Sequence, residues 1–276
     1  MRRHIWGAGS RPVASVSPAA CLSPVSDLHL HILPGVDDGP RDLDEALALA
    51  GQAVAAGVVR ACAGVHSAWL PREGGHELLS EALASLREAL RGNGVGLEVA
   101  EGMECVLDPD LPARVKRGEV LTLAGSRYLG VELPPGVDLA AAGKVLFNLS
   151  LVGVVPVILH PERAERVAAE PASLRPLVEQ GALVAVAAPS LLGPAPVRRA
   201  AEELLRSDLV HALVSDAHRP DTRPVRLAEA LRAAARIVGR ARAERLVRDL
   251  PACVWADREY TGDTQGCDPD RGRGPA

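Results

Sequence analysis

The sequence predicts a parallel α/β fold, and three observations support this prediction. Seven short β-branched segments alternate with seven Ala-, Leu- and Arg-rich segments of helical periodicity. Such alternation is typical of parallel strands joined by crossover helices. The length of 276 residues suits one α/β barrel of roughly 250 residues, and a hydrophobic content of 47% supplies a core. The local pattern leaves open whether the helices ring a closed barrel or cover both faces of an open sheet.

The strand and helix segments can be placed from these patterns. The predicted strands are 27–31, 58–65, 95–103, 128–133, 154–159, 182–188 and 210–215. The predicted helices are 41–56, 76–91, 138–152, 173–180, 196–207, 225–237 and 240–249. In the first helix, Asp42 is a candidate N-cap and Gly57 a stop signal. The stretch 107–128 is predicted to be an irregular insert.

Composition limits both the domain organisation and the class of function. We expect one domain over 26–256 and a disordered Gly-, Pro- and Asp-rich tail over 257–276. Residues 1–25 lack the apolar core of a signal peptide, which predicts a disordered extension or a start codon placed too far upstream. A net charge of −4 and only 2% aromatic residues argue against nucleic-acid binding. No apolar run approaches the ~20 residues of a membrane span.

The cysteines indicate the compartment. The chain has five of them, and they form no CxxC pair and no even disulfide framework: Cys21, Cys62, Cys105, Cys253 and Cys267. A reducing, cytoplasmic location is the prediction that follows.

Polar side chains recur where the predicted strands end. His29 and His31 lie two residues apart on the first strand, so both point to one face, roughly 6–7 Å apart along the chain. The carboxyl ends of parallel strands meet at one edge, where chemistry is located in such folds. Six of the seven strands end there on metal-capable side chains, and the resulting candidates are His29, His31, Asp38, His66, Glu104, Glu132, His160, Asp216 and His218. Glu101 and His211 lie inside strands and are expected to be structural, and Asp37 is expected to brace the turn before Gly39.

These nine candidates predict a metal centre. Burying so many imidazoles and carboxylates together is costly unless a cation satisfies them. Imidazole and carboxylate without thiolate suit manganese, iron or catalytic zinc. Nine ligands exceed the needs of one ion, so two or three divalent ions are expected. Clustered divalent ions are suited to displacement at phosphorus.

Two arginines accompany the predicted metal centre. Arg163 follows His160 by three residues, and Arg223 follows His218 by five. A guanidinium matches the edge of a phosphate group, which predicts that both arginines contact phosphate. Arg219 is a further candidate on the same loop.

The motifs "DLHLHILPGVDDGP", "GME", "SRYLGVELP", "PVILHPER" and "LVHALVSDAHRPDTRP" together resemble those of the PHP-type phosphoesterases. More closely, they are similar to the manganese-dependent bacterial protein-tyrosine phosphatases encoded with capsule and exopolysaccharide genes. The resemblance runs in order from Asp27 to Pro251. It implies a distorted seven-stranded (β/α)7 barrel of TIM-like form, the PHP fold, which favours the closed alternative.

The resemblance also implies how the ions are shared. The first ion would bind His29, His31, Glu104 and Asp216; the second, bridged by Glu104, would bind Glu132 and His160; the third would bind Asp38, His66 and His218. Arg163 and Arg223 match the family's phosphate-binding arginines. Two positions depart from the family pattern: Ser67 stands where a second His or basic residue is usual, and 187–190 (Ala-Ala-Pro-Ser) replaces a polar run.

The function implied is hydrolysis of protein phosphotyrosine by attack of a metal-bound hydroxide, and the partner implied is the tyrosine-rich tail of a polysaccharide-assembly kinase. Manganese is the implied metal, with iron and zinc as alternatives. Two other functions stay open: hydrolysis of a small phosphate ester such as histidinol phosphate or a nucleotide, and metal-dependent hydrolysis of an amide or lactone. The oligomeric state and the general acid are not determined by the sequence.

Overall fold

The structure, a computed structural model, describes residues 25–71 and 74–262, and its strands are all parallel. The strands are β1 (Val25–Leu30), β2 (Val58–Ala63), β3 (Val65–His66), β4 (Glu98–Ala100), β5 (Met103–Val106), β6 (Tyr128–Glu132), β7 (Val155–Leu159), β8 (Leu183–Ala187) and β9 (Ala212–Val214). They form two sheets, of order β1-β2-β4 and β3-β5-β6-β7-β8-β9.

The seven predicted strands are therefore present, but two of them are divided. Predicted strand 58–65 is interrupted at Gly64 and gives β2 and β3, while predicted strand 95–103 gives β4 and β5 and extends to Val106. At Gly102, between β4 and β5, an added Cβ would lie only 2.7 Å from the Ala63 carbonyl oxygen. The interruption at Gly102 therefore lies beside the end of β2, where the two backbones approach too closely for a side chain on residue 102.

Hydrogen bonds between the carboxyl end of β1 and the segment after β9 close the sheet into a distorted barrel, as predicted. At the carboxyl ends, the Asp216 N–H donates to the His29 carbonyl at 3.0 Å, and the His31 N–H donates to the Ala217 carbonyl at 2.9 Å. At the opposite ends, Leu246 and Val247 lie between β9 and β1 and accept hydrogen bonds from both. The barrel is thus tight at the carboxyl ends of β1 and β9 and opened by an inserted segment at their amino ends.

The helices cover the outside of the sheet. They are α1 (Leu43–Ala55), α2 (Gly75–Gly92), α3 (Leu111–Lys116), α4 (Leu139–Leu151), α5 (Glu165–Ala169), α6 (Arg175–Glu179), α7 (Ala188–Leu192), α8 (Ala195–Arg206), α9 (Leu227–Val238), α10 (Arg240–Arg245) and α11 (Asp249–Trp255). The Asp42 side chain accepts from the Glu45 N–H at 2.9 Å, which confirms the predicted cap of α1. The long predicted helices are present within a few residues.

The sequence prediction was wrong for several short helices. The predicted insert 107–128 contains α3, the predicted helix 240–249 ends early as α10, and α5, α7 and α11 had no counterpart. Each of these helices has five to seven residues. One or two turns give too little periodicity to be distinguished from a loop.

Asp257 and Arg258, just beyond the predicted domain boundary, contact residues at the start of β6. Asp257 accepts hydrogen bonds from the backbone and side chain of Arg127, and the Tyr128 hydroxyl donates to the Arg258 carbonyl at 2.6 Å. The start of the predicted disordered tail is therefore fixed against β6. The rest of that tail, 263–276, and nearly all of the predicted extension lie outside the described residues. None of the helices in the described part of the chain has the length and apolar character needed to cross a membrane.

Candidate metal centre

All nine predicted ligands lie together at the carboxyl ends of the strands. Glu104 is at the centre of the group, because its carboxylate faces four imidazoles. Its Oε1 lies 2.7 Å from His160 Nε2, and its Oε2 lies 3.1 Å from His29 Nε2, 3.4 Å from His31 Nε2 and 3.3 Å from His66 Nδ1. Six of the nine residues are at most 5% exposed. The residues predicted to act together are therefore in contact.

The nine side chains fall into overlapping groups whose ligand atoms lie within 4.8 Å of one another. These groups are His31–Asp38–His66–His218, His29–His160–Asp216, His29–His31–Glu104 and Glu104–Glu132–His160. The sets implied for the second and third ions are each found whole within one group. The set implied for the first ion is spread over two groups, which share His29.

The donor atoms are arranged as a cation requires. The Nε2 atoms of His29 and His31 are only 3.1 Å apart and are directed at the same carboxylate oxygen. Within the described residues, Glu104 Oε2 and His218 Nε2 are buried without a hydrogen-bond partner. Buried polar atoms without partners cost free energy, and converging lone pairs repel one another. A divalent cation among these atoms would satisfy them, so the residues fit a metal.

Two of the predicted ligands adopt backbone conformations that are rare for residues other than glycine. His160 follows β7 with φ = 35°, and Asp216 follows β9 with φ = 49°. Such conformations cost about 1–3 kcal/mol and are found at sites where surrounding contacts enforce them. Both residues turn the chain sharply at a strand end, which directs their side chains into the group.

A glycine makes room for the first histidine. An added Cβ at Gly64 would lie 2.5 Å from His29 Nδ1 and 2.7 Å from its Cε1. The His29 ring therefore lies directly against the backbone between β2 and β3. Glycine at position 64, where the predicted second strand is interrupted, therefore leaves the space that the His29 ring occupies.

The charged groups shift one another's pKa values. Burial alone raises the pKa of the Glu104 carboxyl, but the charge of His29 and the hydrogen bond with His160 outweigh burial and lower it. Burial likewise opposes the shift at Asp216, where the charge of Arg163 lowers the pKa of the carboxyl. The pKa of Glu132 is raised, first by burial and then by Glu104.

The predicted arginines lie on the same side of this group. Arg163, on a single 3₁₀ turn (Pro161–Arg163) after β7, pairs closely with Asp216 Oδ2. Arg223 Nη2 lies 3.0 Å from the same oxygen, and its Nη1 lies 3.6 Å from Asp38 Oδ2. By contrast, Arg219 pairs with Glu45 on α1 at 3.3 Å. Arg163 and Arg223 therefore converge on the group, and Arg219 does not.

Exposure shows where the site opens to solvent. The side chains of Asp38, Arg223, Arg163 and His66 are 40%, 39%, 34% and 25% exposed, while the other imidazoles are at most 5% exposed. A ligand would therefore enter between the two arginines and the Asp38–His66 edge, and the deeper imidazoles would remain behind it.

Sequence reasoning missed three buried carboxylates that hold the site from behind. Asp37 does brace the turn as predicted, since its Oδ1 accepts from the Gly39 N–H at 3.0 Å, but its Oδ2 also lies 2.9 Å from His31 Nδ1. Burial would raise its pKa, but the His31 imidazole and the backbone amides lower it to about 2. A carboxylate on one imidazole nitrogen leaves the other nitrogen facing the cluster, an arrangement that commonly supports metal ligands.

The other two missed carboxylates connect strands. Asp27 Oδ1 accepts from the N–H groups of His29 and Ser215, which ties β1 to the segment after β9. Glu162 is fully buried, and its Oε1 accepts from the Ala187 N–H at 3.0 Å, which ties the turn after β7 to the end of β8. Both residues stand in motifs noted in the sequence, two residues from a predicted ligand. That position was the only signal available.

Fold and site together define a class of protein, an α/β barrel with a multi-histidine, carboxylate-rich centre at the carboxyl ends of its strands. A sequence model of the family described as capsular polysaccharide synthesis, CpsB/CapC, matches residues 25–256. The chain therefore belongs to the CpsB/CapC family.

Individual relatives agree with this assignment. The tyrosine-protein phosphatase YwqE of Bacillus subtilis is 30% identical over 207 residues, covering 74% of this chain and 82% of YwqE. The tyrosine-protein phosphatase CpsB of Streptococcus pneumoniae is 28% identical over 239 residues, covering 84% of this chain and 98% of CpsB. A chain from the crystal structures of these two metal-dependent tyrosine phosphatases matches with a TM-score of 0.79 at 27% identity, covering 85% of this chain and 96% of that chain.

Proposed function

We propose that this protein is a metal-dependent phosphatase that removes phosphate from phosphotyrosine in proteins. The observation that carries the proposal is the convergence of nine imidazole and carboxylate side chains with two arginines at the carboxyl ends of the strands. Metal ions and guanidinium groups together match a phosphoryl group, which carries charge on several oxygens. The named activities of the relatives support the same reaction.

Two or three divalent ions would be held by the overlapping groups, in which Glu104 and His31 each belong to two groups. When bound, such ions supply charge neutralisation at phosphorus and lower the pKa of a coordinated water. Asp37 fixes His31 with Nε2 towards the cluster, and Asp27 and Glu162 fix the strand ends that carry His29 and His160. Manganese is the metal we propose, as the family resemblance implies, and the donor set of imidazoles and carboxylates is compatible with it.

Arg163 and Arg223 would bind the non-bridging oxygens of the substrate phosphate. Both guanidinium groups contact Asp216 and are partly exposed, so they lie between the buried imidazoles and solvent. When phosphate binds, some of the hydrogen bonds from the two guanidinium groups to Asp216 would be replaced by hydrogen bonds to phosphate oxygens. A tyrosine leaving group has a pKa near 10, which makes only a modest demand on a general acid.

The partner we propose is a tyrosine-phosphorylated protein, and in particular the tyrosine-rich tail of a polysaccharide-assembly kinase; the family description, capsular polysaccharide synthesis, supports the polysaccharide context. A cytoplasmic location is part of this proposal and stays a prediction. Dephosphorylation of such a tail, measured against an unrelated phosphotyrosyl protein, tests the choice of partner.

A substrate panel tests the reaction itself. The protein, loaded in turn with manganese, iron, zinc and magnesium, is assayed on a phosphotyrosyl peptide, histidinol phosphate, a nucleotide and an amide or lactone substrate. We expect the highest kcat/KM on the phosphotyrosyl peptide with manganese. Preference for a small ester would instead support the alternative phosphoesterase function.

Arginine variants distinguish phosphate chemistry from amide or lactone hydrolysis. Arg163→Ala and Arg223→Ala are each expected to lower kcat/KM on phosphotyrosyl peptide by about 100-fold. Arg199→Ala, at an exposed position on α8, is the matched control and is expected to leave activity unchanged. Unchanged activity in both site variants would contradict the proposed phosphate contacts.

A further inference from the structure

A glutamine on α1 contacts the loop that carries Arg223, although it belongs to none of the motifs in the sequence. The Gln52 Nε2 donates to the Pro220 carbonyl at 2.9 Å, and the Gln52 Oε1 accepts from the Val225 N–H at 3.1 Å. One side chain thus bonds the backbone on both sides of the Arg223 loop. The contacts span 168 and 173 residues of sequence, so they depend on the tertiary fold.

The loop itself is narrow and closed at its base. Arg219 and Arg223 exchange two backbone hydrogen bonds of 3.2 Å, and the His218 N–H donates to the Arg223 carbonyl at 2.9 Å. Residues 220–222 form the tip between them. The backbone of Arg223 is therefore connected directly to that of His218, a predicted ligand, and its position depends on how the loop is held.

Helix α1 holds this loop at two points on one face. Glu45 and Gln52 are seven residues apart, which places them two turns apart on the same side of the helix. Glu45 pairs with the Arg219 side chain at 3.3 Å, and Gln52 bonds the backbone at Pro220 and Val225. The amide is suited to the second task because it donates and accepts at once, whereas a carboxylate only accepts and a thioether does neither well.

From these contacts we infer that Gln52 is a positioning residue for Arg223 and thereby for phosphate binding. This inference rests on the proposed function, in which Arg223 binds the substrate phosphate. The side chain of Arg223 is 39% exposed and pairs with Asp216 and Asp38 across the opening of the site. It reaches these carboxylates from the loop, so a shift of the loop backbone moves the guanidinium relative to the site. Small displacements of such a group weaken catalysis strongly.

The variant Gln52→Met tests the inference, since it keeps the length of the side chain and removes both hydrogen bonds. We expect inorganic phosphate to inhibit the manganese-loaded variant about tenfold more weakly, and kcat/KM on phosphotyrosyl peptide to fall by about tenfold. Manganese content per chain is expected to be unchanged, because Gln52 contacts none of the predicted ligands. The Val225 amide is expected to exchange with solvent faster, which reports the loop directly.

Matched variants separate positioning from a general loss of stability. Gln180→Met makes the same change at an exposed position after α6 and is expected to behave as wild type. In the Arg223→Ala background, Gln52→Met is expected to cause no further loss of phosphate binding, because the group it positions is absent. Additive losses, or wild-type phosphate inhibition in Gln52→Met, would overturn the inference.

Failure of the proposed function would look different. A wild-type protein that binds phosphate but does not hydrolyse the phosphotyrosyl peptide would refute the phosphatase assignment. In that case, phosphate binding by the Gln52 and Arg223 single and double variants would still test whether Gln52 positions Arg223.

Discussion

Adding a single methyl group at Gly64 is expected to disrupt the metal centre through His29. The added Cβ of Gly64→Ala would lie 2.5 Å from His29 Nδ1, whereas ordinary van der Waals contact begins near 3.4 Å. The ring or the strand must therefore move by about 0.9 Å. His29 is fully buried, so the movement has no free space, and such overpacking costs about 1–3 kcal/mol of folding stability. Metal sites tolerate errors of about 0.2 Å in ligand distance.

We therefore expect Gly64→Ala to lose manganese on dialysis and to lower kcat/KM on phosphotyrosyl peptide by at least about 100-fold. Urea unfolding of the metal-free protein measures the stability term, and elemental analysis measures bound metal. Gly51→Ala is the control: this glycine lies exposed in α1 with no atom within 4 Å of an added Cβ, so the change is expected to stabilise by about 1 kcal/mol.

The steric argument has its own internal test. In a His29→Ala background the ring is gone, and Gly64→Ala should then cost little stability. Full metal content and wild-type activity in Gly64→Ala, or an equal stability loss in both backgrounds, would refute the reasoning.

Three further outcomes are expected. Burial, and then the charge of Arg242, lower the pKa of His211 to about 4. Between this value and the ordinary pKa near 6.5, the unfolded chain binds a proton at His211 that the folded protein does not bind. The free energy of unfolding therefore falls as the pH drops from about 6.5 to about 4. The variant His211→Asn keeps an acceptor for the Val184 N–H but has no titrating imidazole. Urea unfolding at pH 8 and at pH 5 should therefore show a loss of stability that is about 2 kcal/mol smaller in the variant than in the wild type. Glu162→Gln keeps an acceptor for the Ala187 N–H and should retain activity, whereas Glu162→Ala should destabilise by about 1–3 kcal/mol and lower kcat, as steady-state kinetics would show. Manganese at 100 times its dissociation constant should stabilise the protein by about 2.7 kcal/mol in thermal unfolding, and an unchanged transition would contradict a metal centre.

The candidate site was predictable because the rule that locates it is topological. Parallel strands joined by crossover helices must bring their carboxyl ends to one edge. His66, Glu104 and His160 are far apart in sequence, yet each stands at such an end, and the structure brings them into contact through Glu104. The alternation of apolar strands and amphipathic helices was enough to predict that meeting.

Closure of the barrel was not predictable in the same way. The local pattern was compatible with an open sheet, and only the resemblance to a known family favoured a barrel. In the structure, closure depends on hydrogen bonds between β1 and the segment after β9, and on the insertion of Leu246 and Val247 at the other end. The contacts that involve β1 and the residue after it join segments from opposite ends of the barrel sequence, His29 with Asp216 and Ser26 with Val247, and no periodicity reports them.

The sequence by itself determined the position and order of seven strand segments, two of which the structure divides, the order of the long helices, and the identity of the predicted ligands that meet at the carboxyl ends of the strands. Each of these follows from periodicity and strand direction. Only the tertiary structure decided what surrounds them: the space beside His29 at Gly64, the carboxylate of Asp37 behind His31, and the amide of Gln52 under the Arg223 loop. The physical reason is the distance along the sequence between the residues that produce each feature. Periodicity is a property of neighbouring residues, whereas a steric gap or a hydrogen bond between distant segments exists only after the chain has folded.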